Sequence, residues 1–281
     1  MLARAKVNLY LHVTGRRTDG YHLLDSLIVF AEAGDEIALA PADRLSLAIE
    51  GPFATGLGNG PDNLVLRAAK ALQELAGTRA GAAIRLTKNL PVASGIGGGS
   101  ADAAATLDGL CGLWNLAPGR SALLAIAARL GADVPVCLDG VPSFVGGIGE
   151  NLTPARGLPP AWLLLANPGV ATPTPAVFKA RQGAFSKPAH WSGPPRDFAE
   201  FAARLQACRN DLTEAAISVT PAIREVLVAL AALPGCVLAR LSGSGATCFG
   251  LFADEAAARA AEARLRAEQP RWWIAAAAMA K

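Results

Sequence analysis

The run Gly95-Ile96-Gly97-Gly98-Gly99-Ser100 constrains this chain more than any other segment. Before it, Ala82 to Lys88 alternates as a strand and is broken at Leu90-Pro91. After it, Ala103, Leu107, Leu110 and Trp114 mark one stripe of a helix. A strand, a glycine loop and a helix start in that order offer several backbone N–H groups at a helix N-terminus. Glycines let an anion approach those groups closely. The segment therefore reads as a phosphate cradle, with a flexible glycine-rich turn as the plainer alternative. It is not a Walker loop, which needs a Gly-Lys pair found nowhere in the chain. It is not the dinucleotide fingerprint either, because Ser100 stands where the third glycine belongs. The H-R-D and D-F-G signatures of protein kinases are absent too.

Composition sets the frame for such a loop. The chain has 281 residues, 52% hydrophobic and 17% charged, enough for a sizeable core in one large or two medium domains. A formal net charge of +3, from 26 basic and 23 acidic residues, argues against a dedicated nucleic-acid binder and still suits a small anionic ligand. The five cysteines are odd in number and form no C-x-x-C pair, so neither a disulfide framework nor a zinc site is expected. Met1 to Lys6 is not followed by a long apolar run, and the uncharged stretch Gly157 to Phe178 holds five prolines. Neither a signal peptide nor a membrane helix is expected, and the cytoplasm is the expected location.

The first strand carries Val7, Leu9, Leu11 and Val13 on one face and Lys6, Asn8, Tyr10 and His12 on the other. The turn Thr14 to Gly20 leads to Tyr21-His22 and an apolar run from Leu23 to Phe30. Ile37 to Ala40 and Leu45 to Ile49 read as separate strands, and Gly51 to Asn63 as a loop. Asn63 is placed to cap a helix from Leu64 to Ala76. A helix from Ser121 to Leu130 ends at Gly131, and Ala132-Asp133-Val134-Pro135 leads into a short apolar strand, Val136 to Leu138.

Further on, strands are expected at 162–166, 237–241, 247–252 and 271–277, and helices at 197–208, 221–233 and 254–268. Residues 167–175 read as a loop and Gln182 to Arg196 as a mobile one. Strands and helices mix without strict alternation, which predicts an α+β fold in two lobes, cut as 1–155 and 156–281. A phosphate cradle without a Walker lysine needs another source of charge. Lys6 is either an exposed strand-edge lysine or a buried one with a partner. Asp133 is either a turn aspartate or a functional acid.

Three segments together resemble the GHMP kinase superfamily: Ala5 to Leu9, Leu90 to Ala101, and Leu241-Ser242-Gly243-Ser244-Gly245-Ala246-Thr247-Cys248-Phe249. Their order and spacing cover nearly the whole chain. Gly15 to His22, Gly131 to Pro135 and Pro173-Thr174-Pro175 narrow the resemblance to a member whose substrate is a cytidyl-diphosphate alcohol. The resemblance implies a two-lobed kinase using ATP and Mg²⁺, with an N-terminal ATP-binding lobe and a C-terminal substrate-side lobe. It implies a small-molecule partner, no nucleic acid or membrane, and a monomer or weak homodimer.

It also assigns residues. Asp133 matches the catalytic base and Lys6 the lysine that orients the hydroxyl. Pro91, Val92, Ala93, Ser94, Gly95, Ile96, Gly97, Gly98, Gly99, Ser100 and Ala101 match the ATP loop, with Lys88 near the adenine side and Ser100 toward the metal or β-phosphate. Asn8, Tyr21, His22, Thr174 and Phe178 match substrate contacts: Tyr21 and Phe178 sandwich the cytosine and His22 reads its edge. Gly243, Ser244 and Gly245 match the third motif. The family loop often opens with more glycines where this chain has Ala93-Ser94. Other small alcohols, such as mevalonate or homoserine, and a non-catalytic ligand-binding role remain as alternatives.

Overall fold

The computed structural model describes residues 1–280. Its contacts divide into two compact units that interleave along the chain. The first comprises Met1–Ala5, Gly34–Val92 and Gly97–Gly140; the second comprises Lys6–Ala33, Ala93–Ile96 and everything from Val141 on. A single cut at residue 155 does not describe this division, because the opening hairpin belongs mostly to the later unit.

Strand β1 (Leu2–Arg16) turns into β2 (His22–Ala42), a strand of 21 residues. The two apolar runs read separately, Leu23 to Phe30 and Ile37 to Ala40, are thus one strand. Gly34, between them, is a point of close approach: a Cβ there would lie 2.2 Å from the Ala3 carbonyl oxygen. In the first unit, the end of β2 pairs antiparallel with β4 (Gly81–Thr87), and β3 (Ser46–Glu50) pairs parallel with β4. Parallel neighbours need a crossover, and helix α1 (Leu64–Ala76) supplies it. Asn63 caps α1, its side chain accepting the Val65 N–H at 2.9 Å, and Gly77 closes it at φ 61.

Helix α2 (Gly98–Leu113), α3 (Arg120–Leu130) and α4 (Val134–Asp139) complete this unit. Ile37, Leu72, Ile84, Leu86, Leu107 and Ile126 form its core. The expected strand at 136–138 is instead α4. Pro135 falls in its first turn, where a missing N–H costs nothing and the fixed φ favours a helix.

In the second unit, β2 pairs antiparallel with β5 (Ser143–Gly147), and β5 with β6 (Asn151–Pro154). A second sheet has the order β10-β7-β9-β8, all antiparallel, from β7 (Trp162–Asn167), β8 (Leu238–Leu241), β9 (Cys248–Phe252) and β10 (Trp273–Ala278). Helices α8 (Ala222–Ala231) and α9 (Glu255–Glu268) pack on this sheet, and α5 (Thr174–Ala180), α6 (Phe198–Gln206) and α7 (Thr213–Val219) complete the unit, with α7 against α5 and α8. Leu11, Val13, Leu164, Leu212, Val226, Leu230 and Phe252 share one core.

Helices α5 and α7 and strands β5 and β6 were not expected from the sequence. Residues 182–196 have no helix or strand, as expected, yet they are fastened. Val13 O accepts the Ser186 N–H at 2.9 Å, Asp25 Oδ2 accepts the Ala189 N–H at 2.6 Å, and Trp191 packs against Tyr10, Phe144 and Phe201. Among the described residues no helix is long and apolar enough to cross a membrane.

Candidate active site

Both faces of β1 are buried, including the polar one: Lys6 is 5% exposed and Asn8 4%. An exposed strand-edge lysine is therefore excluded. Burial of these groups is offset by partners. Lys6 Nζ donates to Asn8 Oδ1 at 3.1 Å, and Asn8 Nδ2 donates to Ser26 Oγ at 2.8 Å.

Three segments distant in sequence meet here, all within the second unit. The Lys6 N–H donates to Ile96 O at 2.9 Å and the Thr247 N–H to Ser94 O at 3.0 Å. Ser242 Oγ accepts the Asn8 N–H at 3.2 Å and donates to Gly95 O at 3.0 Å. β1, the front of the glycine loop and the Ser242–Thr247 turn are thus knitted by main-chain bonds. Gly95 has to be glycine: φ is +77, and a Cβ would lie 2.5 Å from Ser242 O and 2.7 Å from Gly245 N. Asn210 supports the turn from behind, its Nδ2 donating to Leu241 O and Gly243 O, both at 2.8 Å.

The expected substrate contacts fall on the same unit. Helix α5 carries Thr174 and Phe178. Thr174 Oγ1 lies 2.7 Å from Ser244 Oγ, joining this helix to the third motif. Phe178 stacks on His22, ring centroids 5.1 Å apart at 29°, while Tyr21 is 62% exposed on the turn before β2. Partial burial, then the neighbouring Arg16 and Arg181 guanidinium groups, hold His22 below its ordinary range, so its imidazole is neutral at pH 7.

Ala93 belongs to the second unit as well, while Lys88, Pro91, Val92, Gly97 to Ala101 and Asp133 lie in the first. Helix α2 starts at Gly98 after Gly97, at φ 64, with no side-chain cap and no acid in its first turn. A first turn without a side-chain cap or an acid fits an anion. Asp133 occupies the N-cap position of α4, partly buried, without capping that helix through its side chain. Lys88, expected near the adenine side, has its ammonium on two buried carboxylates, Asp35 and, at 2.9 Å, Asp102. Burial works against the Lys88 charge, but the two carboxylates outweigh it and its pKa rises. Burial pushes Asp102 up to about 7, opposed by Lys88 and reinforced by Asp35.

Asp35 and Ser26 escaped sequence reasoning. Asp35 is one of several acids in β2, with Asp25, Glu32 and Glu36, and nothing in the sequence marks it as the fully buried one.

Loops and fold of this kind define a phosphoryl-transfer architecture, and two family models match: the GHMP kinases N terminal domain over residues 63–141 and the GHMP kinases C terminal domain over 184–271. A 4-diphosphocytidyl-2-C-methyl-D-erythritol kinase of Paramagnetospirillum magneticum is 58% identical over 273 residues, 97% of this chain and 95% of the relative. One of Cereibacter sphaeroides is 58% identical over 281 residues, 99% and 98% of the two chains. The crystal structure of a 4-(cytidine 5'-diphospho)-2C-methyl-D-erythritol kinase superposes with TM-score 0.82 at 35% identity, covering 100% of this chain and 99% of that one. A homoserine kinase from Cytophaga hutchinsonii, at 17% identity and TM-score 0.70 over 100% and 95% of the chains, shares the fold. The chain belongs to the GHMP kinase family, with 4-diphosphocytidyl-2-C-methyl-D-erythritol kinases as its full-length relatives.

Proposed function

We propose that this kinase transfers the γ-phosphoryl group of ATP to the 2-hydroxyl of 4-diphosphocytidyl-2-C-methyl-D-erythritol in the cytoplasm, on the methylerythritol phosphate route to isoprenoid precursors. The observation that carries this reading is the stacked His22–Phe178 pair beside the Thr174–Ser244 contact, a recognition surface suited to a flat pyrimidine. Full-length relatives of the same named activity support it.

Phosphoryl transfer asks mainly for positioning and charge neutralisation. The backbone N–H groups at the start of α2 receive the phosphates, where glycine permits close approach. Asp133 takes the proton from the substrate hydroxyl as the new O–P bond forms and the bond to the ADP oxygen breaks. Lys6, held by Asn8, orients that hydroxyl and offsets charge. A carboxylate is a weak base for an alcohol, but in a loose transition state the proton moves late. Neutral His22 offers its unprotonated ring nitrogen as an acceptor to the cytosine edge, while Phe178 and Tyr21 supply ring faces.

Mg²⁺ would be held with help from the Ser100 hydroxyl and would supply charge neutralisation for the phosphates, as a cation that keeps water and uses few protein ligands.

ADP release, measured with the cytidyl alcohol, mevalonate and homoserine in turn, tests the assignment. Turnover with the cytidyl compound alone is expected. Comparable rates with mevalonate or homoserine and none with the cytidyl compound would overturn it, and no turnover with any of them would indicate a non-catalytic relative.

A further inference from the structure

The Asp35–Lys88–Asp102 cluster plays no part in the chemistry above. Asp35 is 0% exposed, Asp102 3% and Lys88 4%. Stability alone is a poor reason for such a group, because apolar replacements of buried ion pairs are often as stable or more so. Its connections are more telling. Asp35 Oδ1 accepts the N–H groups of Asn89 at 2.7 Å and Leu90 at 2.8 Å, the residues that lead into the glycine loop.

Lys88 joins Asp35 Oδ2 to Asp102 Oδ2, and Asp102 stands on α2, the stem that leads out of the loop. A Cβ on Gly98 would lie 3.3 Å from Lys88 Nζ and 3.4 Å from Asp35 Oδ2, so the cluster sits directly against the first residue of α2. Asp102 Oδ1 is buried without a hydrogen-bond partner. Leaving a carboxylate oxygen unsatisfied is a cost that a purely stabilising cluster would avoid. The neighbouring helices add no competing partner for the ammonium: Arg67, Lys70 and Glu74 of α1 are exposed, and Asp139 of α4 pairs with Arg120.

We propose that Asp35, Lys88 and Asp102 are positioning residues that clasp the two stems of the glycine loop and thereby set its affinity for the triphosphate of ATP. The inference rests on reading the loop as the phosphate cradle. In it, Lys88 acts through the loop geometry. A loop whose entry and exit are both pinned presents its N–H groups already aimed, so less binding free energy is spent on ordering it when the triphosphate arrives.

Steady-state kinetics with both substrates varied, on wild type, Asp35→Ala, Asp35→Asn and Asp102→Ala, tests the clasp, with circular dichroism to verify folding. Asp102→Ala leaves the Asp35–Lys88 pair intact and keeps the test available even where Asp35→Ala fails to fold. The expected result is a KM for ATP raised ~10-fold or more in both alanine variants. The KM for the cytidyl alcohol and kcat at saturating ATP should stay within about twofold. Asp35→Asn, which keeps an acceptor for Asn89 and Leu90, should recover part of the loss. An unchanged KM for ATP in folded Asp102→Ala, a parallel rise in both KM values, or a loss confined to kcat would overturn the proposal. Absence of ATP turnover in the wild type would instead overturn the reading of the loop, and the clasp with it.

Discussion

Lys6 and Arg240 both sit almost entirely out of water, at 5% and 8% exposure. Arg240 donates to the carbonyl oxygens of Leu9 at 2.8 Å, Leu205 at 2.9 Å and Cys208 at 2.6 Å, tying β1 to β8. Burial pulls its pKa down only to about 10, so it stays charged at neutral pH. Lys6 instead leans on Asn8, whose other contacts fix the side chain that fixes the lysine.

Asp133 is the group whose loss should be felt in kcat. Asp133→Asn keeps size and polarity but removes the proposed base, and a fall of at least ~10²-fold in kcat is expected. Near-wild-type turnover would assign the proton to another acceptor.

His22 gives a pH signature of opposite character. Its folded pKa lies below the ordinary value of 6.5. The imidazole is therefore neutral above about pH 6.5 and gains a proton only below that. The unfolded chain takes up that proton first, so this small contribution to stability is complete above about 6.5 and is lost as pH falls toward the folded pKa. Protonation also removes the acceptor offered to cytosine. KM for the cytidyl alcohol should rise as pH drops below 6.5 in the wild type, and His22→Gln should flatten that limb while leaving KM for ATP unchanged.

At the scale of elements, much was legible where a residue type has one physical use. Asn63 before an apolar run announced α1, and the Pro-broken strand followed by glycines announced the loop and α2. The misses have equally local reasons. Pro135 reads as a strand boundary when proline is taken only as a breaker, yet in the first turn of a helix proline is favourable. Helices α5 and α7 are seven residues each, too short for a 3.6-residue period to show in an alanine-rich chain. The candidate site rests on motifs, and of these β1, the front of the glycine loop and the Ser242–Thr247 turn do come together. What could not be read was which buried groups stand behind them, since the pairing of Asp35 with Lys88 spans 53 positions and leaves no pattern in either strand.

The opening Ala93-Ser94 of the loop, where the family often has glycines, carries an energetic cost in the structure. Ala93 holds φ 51, a left-handed conformation that costs a non-glycine residue about 1–2 kcal/mol. Glycine would escape that cost but lose about 0.5–1 kcal/mol in chain entropy. Ala93→Gly should therefore be mildly stabilising, visible as a rise of a few degrees at most in Tm. A fall in Tm would mean that the alanine methyl makes a contact worth more than the strain.

For the molecule as a whole, the interleaving of the two units decides how it can be divided. A chain ending at residue 155 would keep β1 and β2 in full. It would lose what covers their buried residues: Leu11 and Val13 share a core with Leu164, Leu212 and Val226. Leu11 also exchanges main-chain bonds with the Arg209–Asp211 segment, at 3.0 Å and 2.8 Å, and the Val13 N–H donates to Asp211 Oδ2 at 2.7 Å. Arg240, which serves the Leu9 carbonyl, would be gone as well. Stranding these groups exposes apolar surface at about 25 cal/mol per Å² and leaves the strand's polar groups without partners. Against a net stability of about 5–15 kcal/mol, such losses are not survivable. Fragment 1–155 should thus lack a cooperative thermal transition by circular dichroism, whereas the full chain should melt with one. A cooperative melt of 1–155 alone would show that the opening hairpin finds its own cover, and would restore a boundary near residue 155 as a true domain limit.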